Sequence, residues 1–255
     1  MTSASHFKKE IRERVWRLLE DKGVARFPRP VYGRIPNFLG AEEAARRILE
    51  MDEFQRARVV KVDPDSPQLA VRKGVLEAGK VLVMPSPRLR RSFFVLKPWR
   101  IPRRLYGRAA TISGAFHLGS DFETNLDDLP GIDLMVCGSV AVTLRGERIG
   151  KGGGYSELEY AILREFNLVE EETPIVTSVH ELQIVENAPI EEHDFSVDYI
   201  ATPERIIRTT GQRMRPKGII WRKLSEDKIG AIPLLKKLKE NRFERKGLNK
   251  TLIVP

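Results

Sequence analysis

With 255 residues, 41% of them hydrophobic and 31% charged, the chain can build one large α/β domain or two small ones around a sizeable core. Its 44 Lys and Arg against 35 Asp and Glu leave a net charge of +9, which favours anionic partners, from nucleotides and polyglutamylated small molecules to nucleic acid. A lone cysteine, Cys137, excludes an internal disulfide framework and reads as a buried thiol inside an apolar run. No stretch approaches the roughly 18 apolar residues of a membrane span, and MTSASHFKKEIRERVWRLLE has no apolar core of signal-peptide length, so a cytoplasmic protein is expected.

Residues 4–20 have helical periodicity, with Phe7, Ile11, Val15, Leu18 and Leu19 on one stripe and Ser5 placed to cap the N-terminus. Lys8 and Arg12 are four apart and project together beside that stripe, either as a solvated basic face or as ligand-directed cations. The segment FPRPVYGRIPNF (27–38) carries three prolines among aromatics and reads as extended and stiff, a wall for a flat ligand or packing over a core edge. Residues 41–54 and 71–78 read as helices, 57–62 and 81–84 as strands. That alternation predicts a mostly parallel sheet covered on both faces. The arginine- and proline-rich stretch 85–128 is expected to form loops over the C-terminal edge of the sheet, where open α/β folds bind ligands.

An apolar run at 132–142 reads as a buried strand, and 155–166 as a helix. Between them lies Arg148-Ile149-Gly150-Lys151-Gly152-Gly153-Gly154-Tyr155. Glycines let a backbone approach a ligand more closely than a Cβ would permit, and a helix N-terminus adds exposed N–H groups and partial positive charge. Arg148 and Lys151 add two formal charges, so the stretch points to an anion site, most readily for phosphate. Its spacing fits neither the Walker A loop nor the dinucleotide fingerprint, and a solvated turn is the ordinary alternative. Residues 174–179 read as another strand, and 189–202 as an acidic turn feeding a final strand. A basic C-terminal extension, 216–255, with a helix around 232–241, is expected to follow a main domain at 1–215. A solvated tail is favoured there over an RNA-binding one, because the lysines and arginines are not interleaved with stacking aromatics.

Three separated blocks together resemble the 5-formyltetrahydrofolate cyclo-ligases, also called methenyltetrahydrofolate synthetases. They are Lys8-Lys9-Glu10-Ile11-Arg12, the glycine stretch 148–155, and His193-Asp194-Phe-Ser-Val-Asp198-Tyr-Ile-Ala-Thr202 preceded by Gln183. RIPNF, DSPQ and MPSPRLR look closer still to a divergent branch, the methenyltetrahydrofolate synthetase domain-containing proteins. The resemblance covers roughly residues 7–203. It implies a three-layer α/β sandwich with a mostly parallel sheet, similar to the ribose-5-phosphate isomerase and CoA-transferase type. It also implies an enzyme with ATP and a reduced folate as partners and Mg²⁺ as cofactor, turning 5-formyltetrahydrofolate into 5,10-methenyltetrahydrofolate, ADP and phosphate.

Carried over residue by residue, Lys8 and Arg12 match phosphate-binding helix residues. Arg148, Gly150, Lys151 and the N–H groups of Gly152, Gly153 and Gly154 match the phosphate cradle, with Arg148 and Lys151 in the catalytic role. Tyr155 matches an aromatic position beside nucleotide and substrate, and Asp194 or Asp198 matches a magnesium carboxylate. Two departures fall on the folate half. Ser156-Glu157 stands where the family has Tyr-Asp, so Glu157 keeps a metal-binding carboxylate with a longer reach. Gln68 stands where the family has its substrate-binding glutamate, offering only an amide oxygen. An ATP-dependent enzyme with a non-folate acceptor, and a non-catalytic nucleotide- or RNA-binding protein, are the competing readings. The His193-Asp194 pair alone, without further histidine ligands, is weak support for a metal phosphohydrolase.

Overall fold

The computed structural model of the chain describes residues 3–121, 126 and 129–240. Helix α1 (Ser3–Asp21) precedes a small ribbon of β1 (Ala25–Arg26) and β2 (Asn37–Phe38). Then come α2 (Ala41–Glu50), α3 (Asp52–Arg56), β3 (Val59–Val62), α4 (Leu69–Glu77) and β4 (Val81–Pro85). β5 (Phe93–Leu96), the short α5 (Tyr106–Ala109) and α6 (Ile112–Leu118), and β6 (Ser120–Asp121) form the middle of the chain. β7 (Leu134–Gly138) runs into a second ribbon, β8 (Ala141–Val142) with β9 (Arg148–Ile149), followed by α7 (Tyr155–Glu165). β10 (Ile175–Ser178), β11 (Tyr199–Ala201), β12 (Ile206–Arg208) and α8 (Glu226–Ala231) complete it.

Eight strands form one sheet in the order β12-β11-β10-β7-β3-β4-β5-β6. The five from β11 to β4 are parallel, and β12, β5 and β6 extend the edges antiparallel. Parallel strands are buried on both faces, so alternate residues serve opposite layers. Leu82, Met84, Leu134 and Val136 pack with α2 to α6, whereas Val81, Val83, Met135 and Cys137 pack with α7 and the C-terminal segment. The result is the three-layer α/β sandwich expected. Burial pushes the Cys137 thiol up to about 11, which keeps it protonated and inert.

Several local expectations shift. The helix expected at 41–54 breaks at Met51, whose extended backbone (φ −66°, ψ 145°) separates α2 from α3. The run 132–142 is two elements, because the chain leaves the sheet after Gly138 and pairs β8 with β9 instead. The stretch 85–128, expected as loops, contains the fully buried strand β5, hidden by its flanking arginines. Ser5 lies inside α1 rather than at its cap. A strand after Thr202, β12, was not expected.

Two packings place the site. α1 buries Ile11, Val15 and Leu19 against Ala141 and Ile149 of the β8–β9 ribbon, so the N-terminal helix rides on the base of the glycine stretch. From the other end, Ile219, Ile229, Ile232, Leu234 and Leu235 join the core beneath α7. Residues 216–240 therefore pack on the main domain, with 233–240 helical; 241–255 lie outside the described residues. Truncating Leu235 to Ala should cost about 2–4 kcal/mol in urea denaturation. A loosely attached tail would lose less than about 0.5 kcal/mol.

Candidate active site

A cavity of about 670 Å³ opens at the C-terminal ends of β3 and β4. One wall is the glycine stretch. Gly152 and Gly154 have φ of +98° and +62°, conformations a side chain resists, and Gly154 begins α7 without a side-chain cap. A Cβ on Gly152 would lie 3.4 Å from the Arg12 guanidinium carbon, and one on Gly150 3.0 Å from Arg148 Nη2. The glycines thus let cations press directly on the main chain.

Arg12 is half-buried and makes no hydrogen bond or ion pair among the described residues. Burial, more than any neighbour, lowers its pKa, with Glu13 and Glu157 opposing. Such an uncommitted, partly desolvated guanidinium is poised for an anion. Lys8 reaches the same cavity, but Glu191 (3.1 Å) and Asp194 already meet its charge. Lys151 extends to Asp65 Oδ1 at 2.7 Å and stays 41% exposed.

Other expected site residues are placed differently. Arg148 lines the cavity yet is almost wholly buried. Its Nε and Nη2 donate to Gly138 O at 3.1 and 3.0 Å, its Nη1 pairs with Glu157, and its guanidinium lies 4.7 Å over Phe195. It braces the turn from below rather than presenting a free charge. Asp198 is at the opposite, N-terminal edge of the sheet. There it accepts from Ile175 N–H, Arg213 and Arg215 at 2.8, 2.7 and 2.6 Å, and it takes no part in the cavity lining. Asp194 lines the cavity, but Lys8 and the Glu191 N–H (2.7 Å) occupy one oxygen, and His193 stands 3.8 Å from the other. Gln68 is fully buried below the cavity; its Nε2 donates to Ser178 Oγ at 2.8 Å, and its Oε1 has no partner. A Cβ on Gly138 would stand 3.1 Å from that oxygen and 2.7 Å from Ile35, so both side chains crowd the same glycine. Tyr155 lines the cavity.

The cavity floor holds groups the sequence reading passed over. Lys61, buried on β3, pairs with both Asp63 and Glu159, the latter at 2.7 Å. Asp63 also accepts from Gly138 N–H at 3.2 Å and Ser156 Oγ at 3.1 Å. One ammonium cannot fully offset two buried carboxylates. Burial pushes the Glu159 carboxyl up to about 7, with Lys61 opposing, while Lys61 holds Asp63 below its ordinary range against the effect of burial. Arg72 fixes the turn after β3 by donating to the carbonyls of Asp63 and Asp65, the second at 2.9 Å. The signal was present: a lysine inside Val-Val-Lys-Val requires a buried partner, and carboxylates at a parallel strand's C-terminal end flank a ligand crevice. Lys228 on α8 also reaches the glycine stretch, without any motif to announce it.

The chain matches the sequence pattern described as the 5-formyltetrahydrofolate cyclo-ligase family over residues 4–203. It belongs to that family. The methenyltetrahydrofolate synthase domain-containing proteins of Bos taurus and Homo sapiens are 42% and 43% identical to it over 249 residues. Those alignments take in 96% of this chain but only 65% and 64% of the relatives, so the chain spans about two thirds of their length. Among solved structures, the Aquifex aeolicus 5,10-methenyltetrahydrofolate synthetase superimposes with a TM-score of 0.50 at 20% identity, covering 81% of this chain and 95% of the other. That likeness is one of fold.

Replacing Lys61 with Met leaves two buried carboxylates unpaired and should cost about 3–5 kcal/mol in urea denaturation. Adding Glu159→Gln to that variant should recover part of the loss.

Proposed function

We propose that the chain is an ATP- and Mg²⁺-dependent cyclo-ligase that converts 5-formyltetrahydrofolate into 5,10-methenyltetrahydrofolate, releasing ADP and phosphate. The observation that carries this is Arg12, which has no hydrogen-bond or ion-pair partner among the described residues and stands beside Gly152, where the glycine stretch and the start of α7 line the cavity. Main-chain N–H groups, a helix N-terminus and an uncommitted guanidinium are the donor set a polyphosphate requires. Lys151 can exchange Asp65 for phosphate, since its ammonium is partly exposed at the rim.

Among the described residues, no group of three or more His, Cys, Asp or Glu side chains is gathered to hold a metal by itself. Magnesium carried on phosphates needs only one or two protein carboxylates. Glu157 and Asp65 fit, because each is a carboxylate that lines the cavity and already pairs with a cation there through one oxygen. The ion would supply neutralisation of phosphate charge. In the reaction the formyl oxygen attacks the terminal phosphorus and ADP leaves. N10 then closes the ring as phosphate and a proton depart. The residues' work is to hold the phosphates in line and offset their charge.

A second reading, an ATP-dependent enzyme for a non-folate acceptor, draws on one observation: Gln68 is fully buried and takes no part in the cavity lining. On the folate reading, the 27–38 segment shifts and the orphan Gln68 Oε1 gains a donor N–H from the pterin. With 5-formyltetrahydrofolate, ATP and Mg²⁺, the near-ultraviolet absorbance of the methenyl product should rise. A flat trace beside an active cyclo-ligase control, with ATP still bound, would favour the other acceptor. Arg12→Ala should raise KM for ATP at least about tenfold, reflecting the lost charge-assisted contact, with little change in melting temperature.

A further inference from the structure

Beyond the family match, α8 reaches the glycine stretch through Lys228. Ser225 caps α8 by accepting from Lys228 N–H, and Ile229, buried in the core beneath α7, fixes the helix in place. This sends the Lys228 side chain up to the turn. Its Nζ donates to Gly153 O at 2.9 Å and reaches Gly154 O at 3.5 Å, and it lies 4.9 Å over the Tyr155 ring. A Cβ on Gly154 would stand only 3.2 Å from that nitrogen. Lys228 does not line the cavity; it contacts the carbonyl side of peptides whose neighbours supply the cavity wall.

We infer that Lys228 is a positioning residue of the phosphate site, clasping the Gly153 and Gly154 carbonyls from behind so that the amides of the turn stay directed into the cavity. This inference rests on the proposed phosphate-binding reading. Three features support it. A turn of consecutive glycines has little intrinsic conformational preference, so something outside it must select one arrangement. A lysine ammonium on two successive carbonyls selects the arrangement with the oxygens outward, and it polarises the peptides whose other ends are donors. The ammonium has no carboxylate partner among the described residues, and burial lowers its pKa against the opposing pull of Glu157, so its charge is directed at the turn rather than spent in an ion pair. Arg12 at Gly152 and Lys228 at Gly153 and Gly154 thus meet the same run of glycines.

The segment 216–240 cannot simply be deleted, because its apolar residues complete the core; point variants are therefore used in the full chain. Lys228→Met keeps the aliphatic stem over Tyr155 and removes the charge. Lys228→Arg keeps the charge and the donors. ATP affinity, measured by calorimetry with Mg²⁺ and a non-hydrolysable analogue, should fall about tenfold in Lys228→Met and recover substantially in Lys228→Arg. Amide hydrogen exchange at residues 152–155 should quicken in Lys228→Met without a matching change in melting temperature. Unchanged affinity together with unchanged exchange would overturn the clasp. Should the parent chain bind no nucleotide, the phosphate reading falls, and exchange at residues 152–155 alone decides whether Lys228 orders the turn.

Discussion

Everything at the cavity depends on how closely charge can approach the main chain between Arg148 and Tyr155. At Gly152 the nearest side-chain atom is a guanidinium carbon, and at Gly154 an ammonium nitrogen. A Cβ at Gly154 would crowd that ammonium, and a side chain at either position would have to adopt a left-handed backbone conformation. The glycines therefore do more than loosen a turn. They permit cations borne on α1 and α8, near the two ends of the described chain, to meet one short piece of backbone. The core clusters that hold these two helices are accordingly part of the site's construction, because a shift of either would move its cation away from the turn.

The floor of the cavity follows a different rule. Lys61, Asp63 and Glu159 are withdrawn from water, and their charges are settled among themselves and with Ser156 and Gly138 N–H. Charges at the rim are settled more loosely: Lys151 with Asp65 at a partly exposed position, and Arg12 with no partner among the described residues. Buried pairs resist change because breaking one strands a charge, whereas rim pairs exchange partners at small cost. This division separates residues that hold the cavity's shape from residues free to engage a ligand. It also explains why Arg148, at the centre of the most informative motif, serves mainly as a brace: both its faces are occupied, by Gly138 O and Glu157 and by the Phe195 ring.

Much of the architecture could be read from periodicity. Apolar runs of strand length alternating with helical stripes are a robust signal, and β3, β4, α4, α7 and β10 stand within a few residues of their expected places. The failures have physical causes. β5 is flanked by arginines and prolines that read as loop, although its four residues are buried by contacts from both layers. The run 132–142 was uniformly apolar, and nothing in its hydropathy marks where the chain leaves the sheet to form the β8 ribbon. At the site, the glycine stretch and the Lys8/Arg12 pair were legible because each has a local pattern. Asp63, Glu159 and Lys228 come together only through the fold, across separations that no local pattern encodes. Asp194 and Asp198 could not be separated by sequence, four residues apart in one acidic block, yet the sheet puts them at opposite ends of its strands.

The region around Gln68 bears on substrate choice. A buried amide oxygen without a donor carries a desolvation cost that folded proteins rarely leave unmet. Ile35, which with that oxygen crowds Gly138, is an apolar side chain on a segment kept stiff by its prolines and joined to the rest through Val31 and the β1–β2 ribbon. A stiff segment moves as a unit or not at all. If it moves, it uncovers one amide oxygen suited to a single N–H donor, a narrower demand than a carboxylate makes, since an ionised carboxylate can accept from two donors at once. Under the proposed folate reading, an amide in place of a carboxylate at this position lowers the charge complementarity available to a pterin while leaving the proposed phosphate wall untouched.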